Sequence, residues 1–474
     1  MRFPLSAVAI SSAIHRREIR ARDVVADTLE RLGTGDTILN CFTTVVTELA
    51  FADADAIDRA IDSGRDPGPL AGVPFAVKNL YSVAGFPTLA GAKINKGKPP
   101  AVRDAAAIRS LKAAGAILVG MLNMDEYAFG WTTENSHYGG TRNPRDPTRT
   151  PGGSSGASAA AVAAGFVPLA LGSDTNGSIR LPAAFCGVFG LKPTFGRVSR
   201  SGTVLLASSL DHVGPIAGCV LDLATAYDVL QGWDPDDPVS SSTDVDPTVP
   251  GIGRDVKNLR VAVVAEEFGD AVPEAWSAVE TIAITLDTRQ RIRLPETDRA
   301  RAAAALITAS EAAAFHLEDL QRRPGDFDPL TRDRLLASAL LPATAYIQAQ
   351  RFRAWYRSEI LRLFHDIDVL VTPTAPCLPP VLGPSGVDAA TRLRLGPFTQ
   401  PFSLIGLPAI SLPVKTSSPL PLGVQLVAAP FRERVLLDLA AHLEMNGLLM
   451  SSSSSPPEQA THSSTEWLCD QGPI

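Results

Sequence analysis

No apolar run in this 474-residue chain approaches the roughly 18 residues that a membrane-spanning helix needs, so a membrane role is not expected. Long basic runs are missing too. With a formal net charge of −7, composition gives nucleic-acid binding no support. Cysteine is scarce: Cys41, Cys186, Cys219, Cys377 and Cys469 are odd in number, scattered, and without a C-x-x-C pair. Neither a disulfide framework nor a zinc site is indicated, and a reducing, cytoplasmic compartment is expected. The stretch Met1 to Ile14 has one early arginine and then runs into His15-Arg16-Arg17, where a signal peptide would present small residues for cleavage. It reads as a helix. There are no sustained internal repeats.

What is present fits an ordinary enzyme composition, 45% hydrophobic and 20% charged, in a chain long enough for a substantial core. Frequent Gly and Pro residues mark many loops. Two helices are expected within Leu5 to Leu32 and another over Ala50 to Ile61. A strand should end at Lys78, a helix cover Ala105 to Ala114, and a strand follow at Ala116 to Met121. This alternation predicts an α/β protein with a mixed, mostly parallel sheet. Trp233 to Asp255, rich in Pro, Asp and Ser, separates a motif-bearing first half from a helix-rich second half. In that half, strands are expected at Leu259 to Val264, Asp368 to Val371 and Val424 to Val427, with a closing helix over Glu433 to Glu444. One domain over residues 1–447 is expected, followed by a disordered Ser-rich tail over 448–474.

The informative stretch is Thr150 to Thr194. It holds two serine sites in small-residue settings, Gly152-Gly153-Ser154-Ser155-Gly156 and Asp174-Thr175-Asn176-Gly177-Ser178. Phe166 to Leu171 reads as a buried strand between them. Each site leads into a helix, Ala157 to Ala164 and Ile179 to Phe185. Small residues let main-chain N–H groups approach a reacting atom, and helix starts add unpaired donors. A nucleophile there can have its oxyanion stabilised by the main chain. Either run alone would read as a flexible loop or an N-cap. Phosphate binding would need the Lys-Ser/Thr ending of a P-loop or a dinucleotide fingerprint, and neither is present.

A serine nucleophile needs a base. Of the seven histidines, only His137 and His212 lie near this stretch. Upstream, the apolar run Leu70 to Val77 ends in Lys78. Desolvation lowers a lysine's pKa, so a lysine at the end of a buried strand can accept a proton. A strand-end lysine that simply reaches the surface accounts for the position as well.

Lys78, the Gly152–Gly156 and Asp174–Arg180 motifs, Cys186-Gly187, and Gly190-Leu191-Lys192-Pro193-Thr194 together resemble the amidase signature hydrolases. Three separated motifs occur in the family's order, with flanking similarity from about residue 5 to 445. The resemblance implies the amidase signature fold, a large sheet covered by helices on both faces. It implies a Ser-Ser-Lys triad: Ser178 as nucleophile, Lys78 as base, and Ser154 as proton relay after a cis Gly153–Ser154 peptide. The oxyanion hole would be the backbone N–H groups of Thr175, Asn176, Gly177 and Ser178. Ser155 would support Ser154, and Asp174 with Arg180 would brace the loop. No metal or organic cofactor is required.

Asn176 stands where most members have a second glycine. This variant and its flanking segments are similar to the branch acting on small carboxylated ureides. That likeness implies a substrate such as 1-carboxybiuret, release of ammonia, a small companion subunit, and an oligomer. Tyr127 and His137 are candidate substrate-binding residues, with residues of the helices after Ala300 also in reach. Phe129 and Trp131 are expected to pack in the core. An arylacetamide amidase would use them to line a larger pocket. A second alternative is the glutaminase subunit of a tRNA-dependent amidotransferase, whose members usually carry Gly-Gly before the nucleophile and Gln after the arginine. This chain has Asn176-Gly177 and Leu181 there. A non-catalytic scaffold is the third alternative, disfavoured by an intact Lys78, Ser154 and Ser178.

Overall fold

The computed structural model describes residues 6–254, 256–265, 268–383 and 386–450. The strands are β1 Phe42–Val45, β2 Pro74–Lys78, β3 Ile117–Leu122, β4 Leu169–Asp174, β5 Phe189–Lys192, β6 His212–Ala217, β7 Val261–Val264, β8 Arg291–Ile292, β9 Val369–Pro373, β10 Ala409–Val414 and β11 Leu422–Ala428. They form one sheet in the order β1-β3-β2-β4-β6-β5-β10-β11-β9-β7-β8. All residues of β2 to β7 and of β9 to β11 are buried. Side chains alternate between the two faces of a strand, so both faces of the sheet are covered. Only the edge strands β1 and β8 are partly open.

The sheet is mixed, as expected, but the parallel share is smaller than the alternation suggested. Among the described residues, β2 pairs in parallel with β3 and β4, and β7 with β8 and β9. The central pairings β4–β6, β6–β5, β5–β10, β10–β11 and β11–β9 are antiparallel, as is β1–β3. One of these pairs follows from its connection: β10 and β11 are joined by the turn-rich stretch 415–421, too short for a crossover helix.

Helices otherwise fall near their expected places, at Ala7–His15, Ala21–Leu39 and Thr47–Asp62 in the first half. The second half carries Thr297–Arg322, Pro329–Ala339, Ala343–Leu363 and Glu433–Met445. The strand expected from Phe166 starts later, at Leu169. Gly165 takes a positive φ and Pro168 has no N–H to donate to a ladder. The chain also remains packed beyond residue 447. Leu449 is buried, Lys415 N–H donates to Leu448 O, and Met450 N–H donates to Pro413 O. Residues 451–474 of the expected tail lie outside the described residues. No helix among the described residues is long and apolar enough to cross a membrane.

The main core spans the sheet from β2 to β11. A second cluster packs Ile307, Tyr356, Phe398 and Phe402 against Leu370 and Val427. Between these layers, β3, β2 and β4 run parallel, so their carboxyl ends share one edge. That is where open α/β sheets expose chemistry.

Candidate active site

Lys78 is the last residue of β2, and the parallel register Val77↔Leu171 brings it beside the end of β4, which closes on Ser173 and Asp174. The lysine is fully buried. Its Nζ lies 2.6 Å from Ser154 Oγ and 2.9 Å from Ser173 Oγ. Burial pushes the ammonium down from its ordinary value of 10.5 to about 7, against the opposing pull of Asp125, Asp211 and Asp174. Neutral and charged forms of Lys78 are therefore both accessible near pH 7. The structure thus excludes the surface-lysine alternative.

Ser154 precedes the helix Gly156–Ala163, and its peptide with Gly153 is cis. A Cβ on Gly153 would collide with the Asp125 carboxylate and with Thr132 N, so only glycine fits there. Ser155 Oγ donates to Ser173 O at 3.1 Å and accepts from Ser173 N at 3.2 Å. Its own N–H donates to Ser178 O at 3.2 Å. Ser155 therefore ties the two serine loops and β4 together.

The second loop is held by an ion pair without solvent contact. Arg180 Nε donates to Asp174 Oδ2 and Nη2 to Oδ1, both at 3.0 Å. The guanidinium also serves Gln425 Oε1 at 3.0 Å, Ser403 Oγ at 2.6 Å and Thr399 O at 3.3 Å. Burial alone would raise the Asp174 carboxyl, but Arg180 holds it well below the carboxylate range. With its donors committed, Arg180 braces the loop and does not face the cavity described below.

Asp174 also accepts from Gly177 N at 2.7 Å and Ile179 N at 3.2 Å. This differs from the expectation for the oxyanion hole: the Gly177 N–H is engaged by a carboxylate. Among the described residues, the N–H groups of Thr175, Asn176 and Ser178 have no protein acceptor. Gly177 has φ +139°, and a Cβ there would strike Thr399 Oγ1. Thr399 Oγ1 donates to Asn176 O at 2.5 Å.

Ser178 opens into a cavity of about 310 Å³. Thr175 and Asn176 form one wall, and Phe129 and Trp131 another. The aromatics expected to be core thus face the cavity. Residues remote in sequence close it: Thr308 on the helix Thr297–Arg322, Arg334 on the helix Pro329–Ala339, and Gln400. Asn176 Nδ2 donates to Thr308 Oγ1 at 2.9 Å, while Asn176 Oδ1 is buried without a partner. Arg334 stands 3.7 Å over the Phe129 ring and donates to Phe129 O at 2.5 Å. Arg334 is exposed as a whole residue, and its guanidinium is cationic at neutral pH.

Tyr127 and His137 are not brought to this cavity. Tyr127 and Ala128 have positive φ, and the tyrosine ring packs 3.8 Å from His316 and 5.9 Å from Phe327. His137 Nε2 meets Glu126 Oε1 at 3.2 Å. Glu126 also accepts from Asp328 N at 2.8 Å, and its carboxyl is pushed up to about 8 by burial. Asp125 accepts from Thr133 N at 3.0 Å. The residues missed by sequence reading are Ser173, Thr308, Arg334 and Gln400. Ser173 follows from the β2–β4 register. The others carry no local motif.

Fold and site together define an amide C–N hydrolase of the amidase signature class, and the Amidase family matches residues 23–437. The chain belongs to that family. It is 47% identical over 452 residues to AtzE of Pseudomonas sp. (strain ADP), which is a 1-carboxybiuret hydrolase subunit; the match covers 94% of this chain and 99% of the relative. It is 37% identical to a glutamyl-tRNA(Gln) amidotransferase subunit from Carboxydothermus hydrogenoformans, covering 93% and 97%. Among solved structures, a vestigial protein complex bearing on the origins of an s-triazine catabolic enzyme is 46% identical. It superposes with a TM-score of 0.92 over 94% of this chain and 99% of the other. A 6-aminohexanoate cyclic dimer hydrolase is 30% identical with a TM-score of 0.85, covering 96% and 99%.

Proposed function

We propose that this enzyme hydrolyses a small carboxylated ureide, 1-carboxybiuret or a close analogue, through an acyl-enzyme on Ser178. Neutral Lys78 takes the proton of Ser154 as Ser154 takes that of Ser178. Ser178 Oγ attacks the carbonyl carbon, and the oxyanion meets the N–H groups of the Thr175–Ser178 loop. The C–N bond breaks, the proton returns through Ser154 to the leaving nitrogen, and ammonia departs. Water then cleaves the acyl-enzyme by the reverse relay. The 2.6 Å contact of Lys78 with Ser154 supports the proton path. The open donors of Thr175, Asn176 and Ser178 support the oxyanion assignment. Gly177 can contribute only by leaving Asp174.

The observation that carries the substrate class is Arg334, the cation among the described residues that line the Ser178 cavity. A carboxylated ureide offers that guanidinium an anion. The cavity volume lies at the low end of ligand pockets, which span roughly 300–1,000 Å³. Such a cation rejects analogues that leave it unpaired. The 47% identity to AtzE supports the same reading. We also propose a small companion subunit, since the matching solved structure is of a protein complex and AtzE is itself one subunit of its hydrolase. A cytoplasmic location fits four free cysteines among the described residues.

The test is ammonia release from 1-carboxybiuret, indole-3-acetamide and glutamine, with and without a co-expressed small neighbouring reading frame. A preference for 1-carboxybiuret is expected. Preference for the aryl amide would assign Phe129 and Trp131 to an aromatic pocket instead. Preference for glutamine would place the chain with the amidotransferase subunits. Full activity from the chain as a stable lone protein would remove the companion.

A further inference from the structure

Behind the Ser178 loop lies a second buried lysine that the proposed hydrolysis does not use. Lys192 ends β5 and is fully buried. Its Nζ reaches Leu407 O at 2.5 Å, Pro193 O at 3.2 Å and His212 Nε2 at 3.2 Å. His212 opens β6 as the cross-strand neighbour of Asp174. Its Nδ1 lies 3.0 Å from the main-chain oxygen of Asp174.

Counting hydrogens fixes the direction of this chain. A carbonyl oxygen only accepts, so His212 Nδ1 carries a hydrogen. In one arrangement the imidazole is neutral, and Nε2 accepts from an ammonium whose other two N–H groups serve Leu407 and Pro193. In the other, an imidazolium donates from Nε2 to a neutral amine that serves the two carbonyls. Both put one positive charge on the pair; when the ammonium loses its proton the neutral amine can still donate to Nε2 and to one carbonyl, and all three arrangements end in Nδ1–H donating to Asp174 O.

That carbonyl belongs to the same peptide group as the N–H of Thr175. Donation to a peptide oxygen draws charge through the amide and strengthens its N–H as a donor. Thr175 lines the Ser178 cavity. The peptide is fixed from the other side as well. Thr175 Oγ1 donates to Asp211 Oδ1 at 2.5 Å, and Asp211 accepts from Leu206 N at 2.6 Å and Ala207 N at 3.0 Å.

We propose that His212, anchored by Lys192, is a positioning residue that orients and polarises the Asp174–Thr175 peptide toward the transition-state oxyanion. The inference rests on reading Ser178 as the nucleophile. A donor aimed at the oxyanion acts in the transition state, so its loss lowers kcat and leaves KM alone.

The test compares His212→Phe, His212→Asn, Lys192→Met and Ser178→Ala on the amide hydrolysed fastest in the panel above. Asn can place its Nδ2 where His212 has Nδ1, so it keeps the donor to Asp174. Removing an oxyanion donor outright costs about 10²–10³ in kcat, so weakening one should cost His212→Phe roughly 10–100-fold. KM should stay within about threefold. His212→Asn should recover most of kcat. Lys192→Met should lose a smaller factor, about 3–10-fold, also in kcat. If His212→Phe fails to fold by thermal melting, the kcat of Lys192→Met decides: a loss at unchanged KM supports the proposal. Wild-type kcat in Lys192→Met and in any folded His212→Phe overturns it. So does a His212→Asn no better than His212→Phe, or a loss confined to KM. Ser178→Ala separates the two readings. Ammonia release persisting there refutes the nucleophile itself. An inactive Ser178→Ala beside an unimpaired His212→Phe refutes only the role of His212.

Discussion

The sharpest consequence of the site is the pH dependence of kcat/KM. The base must be neutral to accept a proton. An unshifted lysine is neutral in only about one molecule in 3,000 at pH 7. Full burial brings Lys78 to about 7, where half the molecules carry a neutral amine. Raising the pH deprotonates it, so activity rises with pH. Between pH 8 and pH 6 the neutral fraction falls from about 91% to about 9%, so kcat/KM should drop about tenfold. Below pH 6 it should lose about tenfold per unit. The assay is initial-rate ammonia release at low substrate from an amide with no ionisable group, so that the substrate contributes no titration. Lys192 is also held near 7 by burial, so it must be separated. Lys192→Met should keep the midpoint on a lower plateau. Lys78→Ala should lose the limb, be nearly inactive at neutral pH, and regain rate only as hydroxide becomes available. A profile flat from pH 6 to pH 8 in the wild type, or a Lys78→Ala profile of wild-type shape, would refute the argument for Lys78 as base.

Two further changes probe the rest of the site. Replacing Arg334 with Met removes the cavity's cation. A charge-assisted hydrogen bond contributes about 1.5–3 kcal/mol, so KM for 1-carboxybiuret should rise roughly 10–150-fold. Steady-state rates for a neutral amide should change by less than about threefold, and equal losses for both substrates would mean that Arg334 only shapes the wall. Asp174→Asn breaks an ion pair whose partners have no solvent contact and leaves Arg180 without its counter-ion. The expected cost is about 3–5 kcal/mol of stability. Thermal and urea unfolding should register it plainly, and an unshifted transition would contradict the bracing role.

Sequence legibility followed the range of the interactions. Lys78, Ser154 and Ser178 each sit in a local pattern: a lysine closing an apolar strand, or a serine in a small-residue turn before a helix. Burial and the Ser154 contact then came where that pattern pointed. The short strands β1, β5, β6, β8 and β10 were not legible. They run four, four, six, two and six residues. Apart from the β10–β11 pair, their partners lie well away in sequence, so pairing rather than local periodicity defines them. The cavity wall was invisible for the same reason. Arg334 lies on a helix with no motif, and nothing local distinguishes it from a solvated arginine. Tyr127 failed differently. Its position past β3 was right for a ligand site, but positive φ at Tyr127 and Ala128 turns its ring into the His316–Phe327 cluster. Phe129 and Trp131 take the cavity wall instead.

The measurement closest to the central claim is covalent labelling of the nucleophile. The wild-type chain is incubated with a fluorophosphonate, digested and mapped by mass spectrometry, with ammonia release followed on the same sample. One adduct is expected, on Ser178, appearing in step with loss of activity, together with an unlabelled, folded, inactive Ser178→Ala. Since a lost nucleophile costs far more than tenfold, Ser178→Ala activity within about tenfold of wild type, or inactivation with the adduct on another residue, would contradict it.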